Sequence, residues 1–125
     1  MYNTEKEIVV INNTIRRSAY MNVQFKKGVL DLCVLAMLKD SDRYGYELAS
    51  TLSETIMISD GTVYPLLRKL AADGLVASYL QESQSGPPRK YYSLTAMGKA
   101  KLKELLEDWI SFTASVNKIV GGKSA

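Results

Sequence analysis

The 125-residue chain has no histidine and a single cysteine, Cys33. Imidazole-based acid–base and triad chemistry is therefore closed to it, as are zinc sites built from histidine and paired cysteines. One cysteine permits no disulfide within the chain, so a reducing compartment, the cytoplasm, is the expected location. The eight glycines fall into neither a G-x-G-x-x-G nor a G-x-x-x-x-G-K-[ST] pattern, which removes the usual phosphate-cradling loops. No apolar run approaches the roughly 18 residues that span a bilayer. The short run "IVVI" at residues 8–11 is too brief for a secretory leader. Glu104, Glu107 and Asp108 lie among lysines at helical spacing and read as solvated ion pairs, not as catalytic carboxylates. No enzyme activity, cofactor, metal or membrane is expected.

What the chain does contain is an ordinary balance of 46% hydrophobic and 23% charged residues, enough for one modest core. The net charge of +3 is compatible with an anionic partner but too mild to argue for one. Residues 1–21 are polar apart from "IVVI" and read as an N-terminal extension: an arm, a poorly ordered tail, or an upstream extension of a frame whose ordinary start is Met21.

Residues 25–38, "FKKGVLDLCVLAML", are apolar on nearly every side, as in a helix enclosed by its neighbours. "KDSDR" ends that helix and caps a second, "YGYELASTLSETI", in which Tyr44, Leu48 and Leu52 share a face. Gly45 weakens its first turn by about 1 kcal/mol relative to alanine, which suits a close backbone approach. A third helix is expected over residues 60–73. Ser59 stands at its N-cap, Asp60 at the positive end of its dipole, and Gly74 at a left-handed stop. Val63, Leu66, Leu67 and Leu70 make one stripe of this helix; Gly61, Pro65, Arg68 and Ala72 lie opposite, flanked by Tyr64 and Lys69. Pro65 removes the hydrogen bond to the carbonyl of Gly61, where the missing side chain relieves crowding. A slightly bent helix with a small, then cationic, outer face is suited to lie close to phosphates.

"LVASYLQES" and "RKYYSL" read as two strands of a hairpin around "QSGPP", with Gly86 freeing the turn and Arg89 and Lys90 just past its tip. Thr95 caps a long last helix in which Leu102, Leu105, Trp109, Phe112, Val116 and Ile119 recur at spacings of 3 and 4. Leu106, Ile110 and Val120 broaden this seam. A small domain does not readily cover so long a stripe, so part of it should meet a second copy. Residues 121–125 read as a flexible tail.

The order helix, helix, turn, helix, hairpin, long helix is that of a winged helix-turn-helix with a dimerisation helix: mainly α with a small β-hairpin. Residues 22–94 are the expected winged domain and 95–120 the dimerisation helix. "YGYEL", "SDGTVYPLLRKLAADGLV", "GPPRKYYSLT" and "EDW" resemble the PadR family of bacterial transcriptional regulators, over residues 25–120. The resemblance implies a homodimer that binds a near-palindromic operator in double-stranded DNA, usually as a repressor released by a small molecule or other signal. Carried over position by position, it puts Tyr44 at the second-helix start against DNA. From the third helix it adds Ser59, Thr62, Tyr64, Arg68 and Lys69, and from the wing Gly86, Arg89 and Lys90. Tyr64 is also readable as a flank of the core and Thr62 as support for its helical turn. Arg68 leads, because a guanidinium suits both base edges and phosphate. Trp109 matches a position that lines an apolar effector cavity in similar regulators, with Leu105 and Leu106 beside it. An interface core residue explains Trp109 with less, and is preferred. The competing reading is a winged-helix protein-interaction adaptor that does not bind DNA.

Overall fold

The computed structural model describes residues 28–121. The expected extension over residues 1–21 and the tail after Gly121 lie outside the described residues. Two compact units divide the chain, Met1–Leu30 and Asp31–Ala125. Of the first, only residues 28–30, the opening of helix α1 (28–37), are described.

From Asp31 onward the chain is mostly helical with a small sheet. After α1 come β1 (Arg43–Tyr44), α2 (Gly45–Ile56), α3 (Asp60–Ala72), β2 (Val76–Ser83), β3 (Gly86–Leu94) and α4 (Ala96–Val120). The three strands form an antiparallel sheet in the order β1-β3-β2. This is the winged helix-turn-helix with a long C-terminal helix that the sequence pattern leads one to expect. Its core gathers leucine and valine from the helices, with Val34, Leu35, Leu48, Leu52, Val63, Leu67 and Leu70 almost fully buried. Each such side chain contributes about 1.5–3 kcal/mol of burial. The sheet closes over them through Val76 and Tyr92. Among the described residues no helix is long and apolar enough to cross a membrane.

Two local readings need correction. Tyr44 is not in the first turn of α2: its backbone is extended at φ −71° and ψ 137°, and with Arg43 it pairs against β3, Arg43 opposite Tyr92 and Tyr44 opposite Tyr91. Tyr44 therefore does not continue the buried Leu48 and Leu52 face. A two-residue strand has no periodicity for a sequence pattern to reveal. The wing turn is also tighter than expected. It consists of residues 84–85, and Gly86 already opens β3 opposite Ser83, with a register slip between Gln81 and Ser83. Pro87 and Pro88 are tolerated in β3 because β1 pairs only further along, at Tyr91 and Tyr92, leaving the flank beside the prolines open.

Helix α3 starts from Ser59, runs through Pro65 and stops where Gly74 takes a φ of +77°. The start of α4 is fixed more tightly still. The Thr95 hydroxyl accepts from the Gly98 amide at 3.0 Å and lies 2.7 Å from the Gly74 carbonyl, to which it donates, while the Thr95 amide donates to the Leu75 carbonyl at 3.2 Å. Gly98 is packed so closely that a Cβ there would collide with the Leu75 carbonyl oxygen and reach 2.7 Å from Leu94 Cδ1. Gly98→Ala is accordingly expected to destabilise the fold by about 1–3 kcal/mol through overpacking. Gly61→Ala, whose Cβ would meet nothing nearer than Ser59 Oγ at 3.7 Å, should be neutral or stabilising by up to about 1 kcal/mol. Urea denaturation of the two variants measures the contrast.

Candidate nucleic-acid interface

Helix α3 buries Val63, Leu67 and Leu70 and leaves Thr62, Tyr64, Arg68 and Lys69 exposed, as its 3.6-residue period dictates. At its start the hydroxyls of Ser59 and Thr62 lie 3.3 Å apart, and the Ser59 carbonyl accepts from the Thr62 amide at 2.9 Å. Ser59 is the N-cap residue, but its side chain does not bond the helix amides. The two α3 cations differ. Lys69 is answered within the protein by Asp73 at 3.6 Å and Asp31 at 4.0 Å. Arg68 forms no ion pair with any of the described residues.

The wing brings the remaining residues to the start of α2. Arg89 lies 5.0 Å over the Tyr44 ring and Lys90 5.9 Å over that of Tyr92. Tyr44, Gly86, Arg89 and Lys90 share a cleft of about 350 Å³ with Ser83 and Ser85. Gly45, the first residue of α2, is buried beneath this group. A Cβ there would lie 3.2 Å from Tyr92 Cε2, 3.6 Å from the Lys90 carbonyl oxygen and 3.9 Å from Tyr64 Cε1. Tyr92 thus lies against the start of α2 and within electrostatic reach of Tyr64 and Arg68 on α3. Burial pushes its phenol above the ordinary tyrosine range and neighbouring Tyr64 adds to the rise, whereas the Arg68 guanidinium opposes it. Burial also raises Tyr64, helped by Asp60.

The outer face of the sheet carries a run of rings that the sequence reading did not single out. Tyr46, Tyr44, Tyr91 and Tyr79 follow one another at centroid distances of 6.0, 5.8 and 5.8 Å. Tyr79 donates to the Asp42 carboxylate at 2.7 Å, which holds its proton on more firmly. Cross-strand pairing explains the three strand residues, since Tyr91 stands directly opposite both Tyr44 and Tyr79, and Tyr46 joins them from the first turn of α2.

Along α4 the expected seam divides. Leu102 is buried within the protomer, and Leu105 and Trp109 are half-buried. Phe112, Val116 and Ile119 are exposed, as are Leu106, Ile110 and Val120. Of the three expected effector residues, Leu106 alone lines the groove of about 440 Å³ between α1 and α4, whose apolar floor is rimmed by Lys39, Lys99 and Lys103.

The family model "Transcriptional regulator PadR-like family" matches residues 34–104. That span includes the helix-turn-helix, the wing and the first turns of α4. The chain belongs to this family. It is 32% identical over 102 residues to Transcriptional regulator Rv3488 of Mycobacterium tuberculosis, covering 81% of this chain and 92% of that protein. Among solved structures, a PadR-like transcriptional regulator from Bacillus cereus superposes with a TM-score of 0.71 at 35% identity, covering 80% of this chain and 99% of that one. A Streptococcus transcriptional regulator superposes at 0.70 with 39% identity, covering 77% and 96%.

All nine expected contact positions of this PadR-family regulator, from Tyr44 to Lys90, lie inside the matched span, whereas the seam after Glu104 lies beyond it. Tyr92 is the residue of this cluster that sequence reasoning missed, whereas the close approach expected at Gly45 is to the Tyr92 ring. The signal lay in "YGY" and "YY", whose members come together only when β1 pairs with β3. Because the folded chain keeps the Tyr92 proton to higher pH than the unfolded one, stability should fall as pH rises past roughly 10. Tyr92→Phe should flatten that fall, as measured by urea midpoints across the alkaline range.

Proposed function

We infer that this PadR-family regulator acts as a homodimer that binds a near-palindromic operator in double-stranded DNA, as a cytoplasmic repressor released by a small apolar or aromatic effector or another signal. In this reading residues 22–94 hold the DNA-reading head and residues 95–120 pair the two copies. The observation that supports it is the convergence of Tyr64 from α3, the wing cations Arg89 and Lys90, and the start of α2 around Tyr44, Gly45 and Tyr92. Arg68 is the leading base-edge contact, since no carboxylate of the described residues competes for it. Lys69, already shared with Asp73 and Asp31, serves as a weaker phosphate contact. Ser59, Thr62 and Tyr64 offer hydroxyls to the backbone near the start of α3. Tyr44 and Arg89 act as one stacked unit, with Gly86 and Lys90 completing the wing.

Pairing is supported by the exposed apolar stripe of α4, from Leu106 to Val120, which is unfavourable to leave in water. Trp109 with Leu105 and Leu106 remains the proposed effector position, and release requires an effector that favours one spacing of the heads over the other. The same apolar stripe is the observation that favours the adaptor reading, in which it meets a different protein.

Gel-shift titration with duplex from the upstream region of its own gene should give specific binding that weakens steeply with salt, as counterions leave the phosphates. Equal affinity for every duplex at every salt concentration would contradict the reading. Arg68→Ala is expected to cost roughly 1–3 kcal/mol of operator binding. In sedimentation, the chain should run as a dimer, and the double change Ile110→Lys with Val116→Lys should release monomers. A monomer that is indifferent to those changes removes the paired arrangement.

A further inference from the structure

Helix α3 carries two adjacent cations, Arg68 and Lys69, that the rest of the fold treats differently. Lys69 Nζ lies 3.6 Å from a carboxylate oxygen of Asp73 and 4.0 Å from one of Asp31. Asp73 is the C-cap residue of α3 and Asp31 comes from α1, so the two acids reach one ammonium from different elements. The needs of the helix do not explain Asp73. An acid at a helix C-terminus meets the negative end of the dipole, and a lysine four residues before an acid is the less favourable order of such a pair. Between half-exposed partners the pair also adds little to stability. Asp31 is the more enclosed acid: its side chain is 18% exposed against 50% for Lys69. The lysine is therefore held from the protein side while its ammonium stays within reach of solvent. Arg68, one position earlier, has no ion pair among the described residues.

We propose that Asp31 and Asp73 are specificity-determining residues, which hold Lys69 back from the phosphates of unrelated duplex and yield it only when α3 is seated on its operator. The assignment rests on the DNA-binding reading above and adds to it what sets the ratio of specific to non-specific affinity. Binding to unrelated duplex comes almost entirely from cations that meet phosphate. In such a loose complex one phosphate contact does not offset the two carboxylates that Lys69 would leave uncovered beside the DNA. On the operator, the base contacts of Arg68 keep α3 close to the backbone, and Lys69 passes from carboxylate to phosphate. The two acids thus subtract mainly from binding that carries no sequence information.

Asp73→Asn preserves the size of the side chain and relieves the clash with the dipole, so its melting temperature should be unchanged or slightly raised. Its affinity for a duplex of unrelated sequence should rise about three-fold at low salt. The slope of log affinity on log salt should steepen by up to about 0.9, the value of one added phosphate contact. Affinity for upstream duplex should rise less, so that the ratio of the two falls. Asp31→Asn should act in the same direction, and the exposed Asp73 site carries the test if that variant does not fold. Lys69→Gln decides the route: in its background neither asparagine change should raise affinity for unrelated duplex, because the effects are coupled. The assignment is refuted, and the DNA-binding reading stands, if the folded asparagine variants bind unrelated duplex as the wild type does, strengthen both complexes equally, or keep their effect without Lys69. If the wild type binds no duplex at all, that reading falls and the assignment falls with it.

Discussion

The geometry of this regulator depends on the pairing of two residues, Arg43 and Tyr44, with β3. That pairing is short, but it is held from both sides. Arg43 Nε donates to the Met37 carbonyl at 2.9 Å, tying the strand to the end of α1, and the Tyr44 ring lies beneath the Arg89 guanidinium. Through it the first turn of α2 is pressed against the wing, with Gly45 on Tyr92. The β2–β3 hairpin would otherwise be joined to the helices mainly at its base, near Val76 and Leu94. Anchored at Tyr91 and Tyr92 as well, it has its cations at a fixed distance from those of α3.

Placement of charge, and not its total, gives the surface its character. A net charge of +3 is weak as a long-range field. Lys69 is paired locally with two carboxylates, while Arg89 and Lys90 are set over aromatic rings. Such contacts are worth about 0.5–1 kcal/mol each at exposed sites, and they narrow the orientations a long side chain samples. A guanidinium already held in place loses less entropy when it meets a phosphate or a base. The apolar half of α4 plays the opposite part: its exposed Ile110, Phe112, Val116 and Ile119 suit a large complementary surface.

Much of this was legible in the sequence, for reasons that are local. Helix α3 announced itself through Ser59, Asp60, the leucine stripe and Gly74, and α4 through the Thr95 cap and its seam. Arg68 could be placed on the outer face by period alone. What could not be read depends on contacts between distant segments. β1 is too short to have a pattern, and Tyr44 shares the helical spacing of Leu48 and Leu52 although it lies in the strand. The tightness at Gly98 comes from the Leu75 carbonyl across a turn, and the same residue type at Gly61 has open space. Tyr92 looked like one alternating residue of a strand. The groups that act on it, Gly45, Tyr64 and Arg68, come from two helices, so its burial against α2 could not be anticipated from spacing.

The central claim is that α2's first turn, the outer face of α3 and the wing form one continuous surface for DNA. Backbone amide shifts of the isotope-labelled chain, followed as duplex from its upstream region is added, test this most directly. The expected result is a set of perturbations concentrated at residues 45–47, 62–69 and 86–92, with the apolar half of α4 undisturbed. Perturbations confined to α4 while those three segments stay silent would contradict the account.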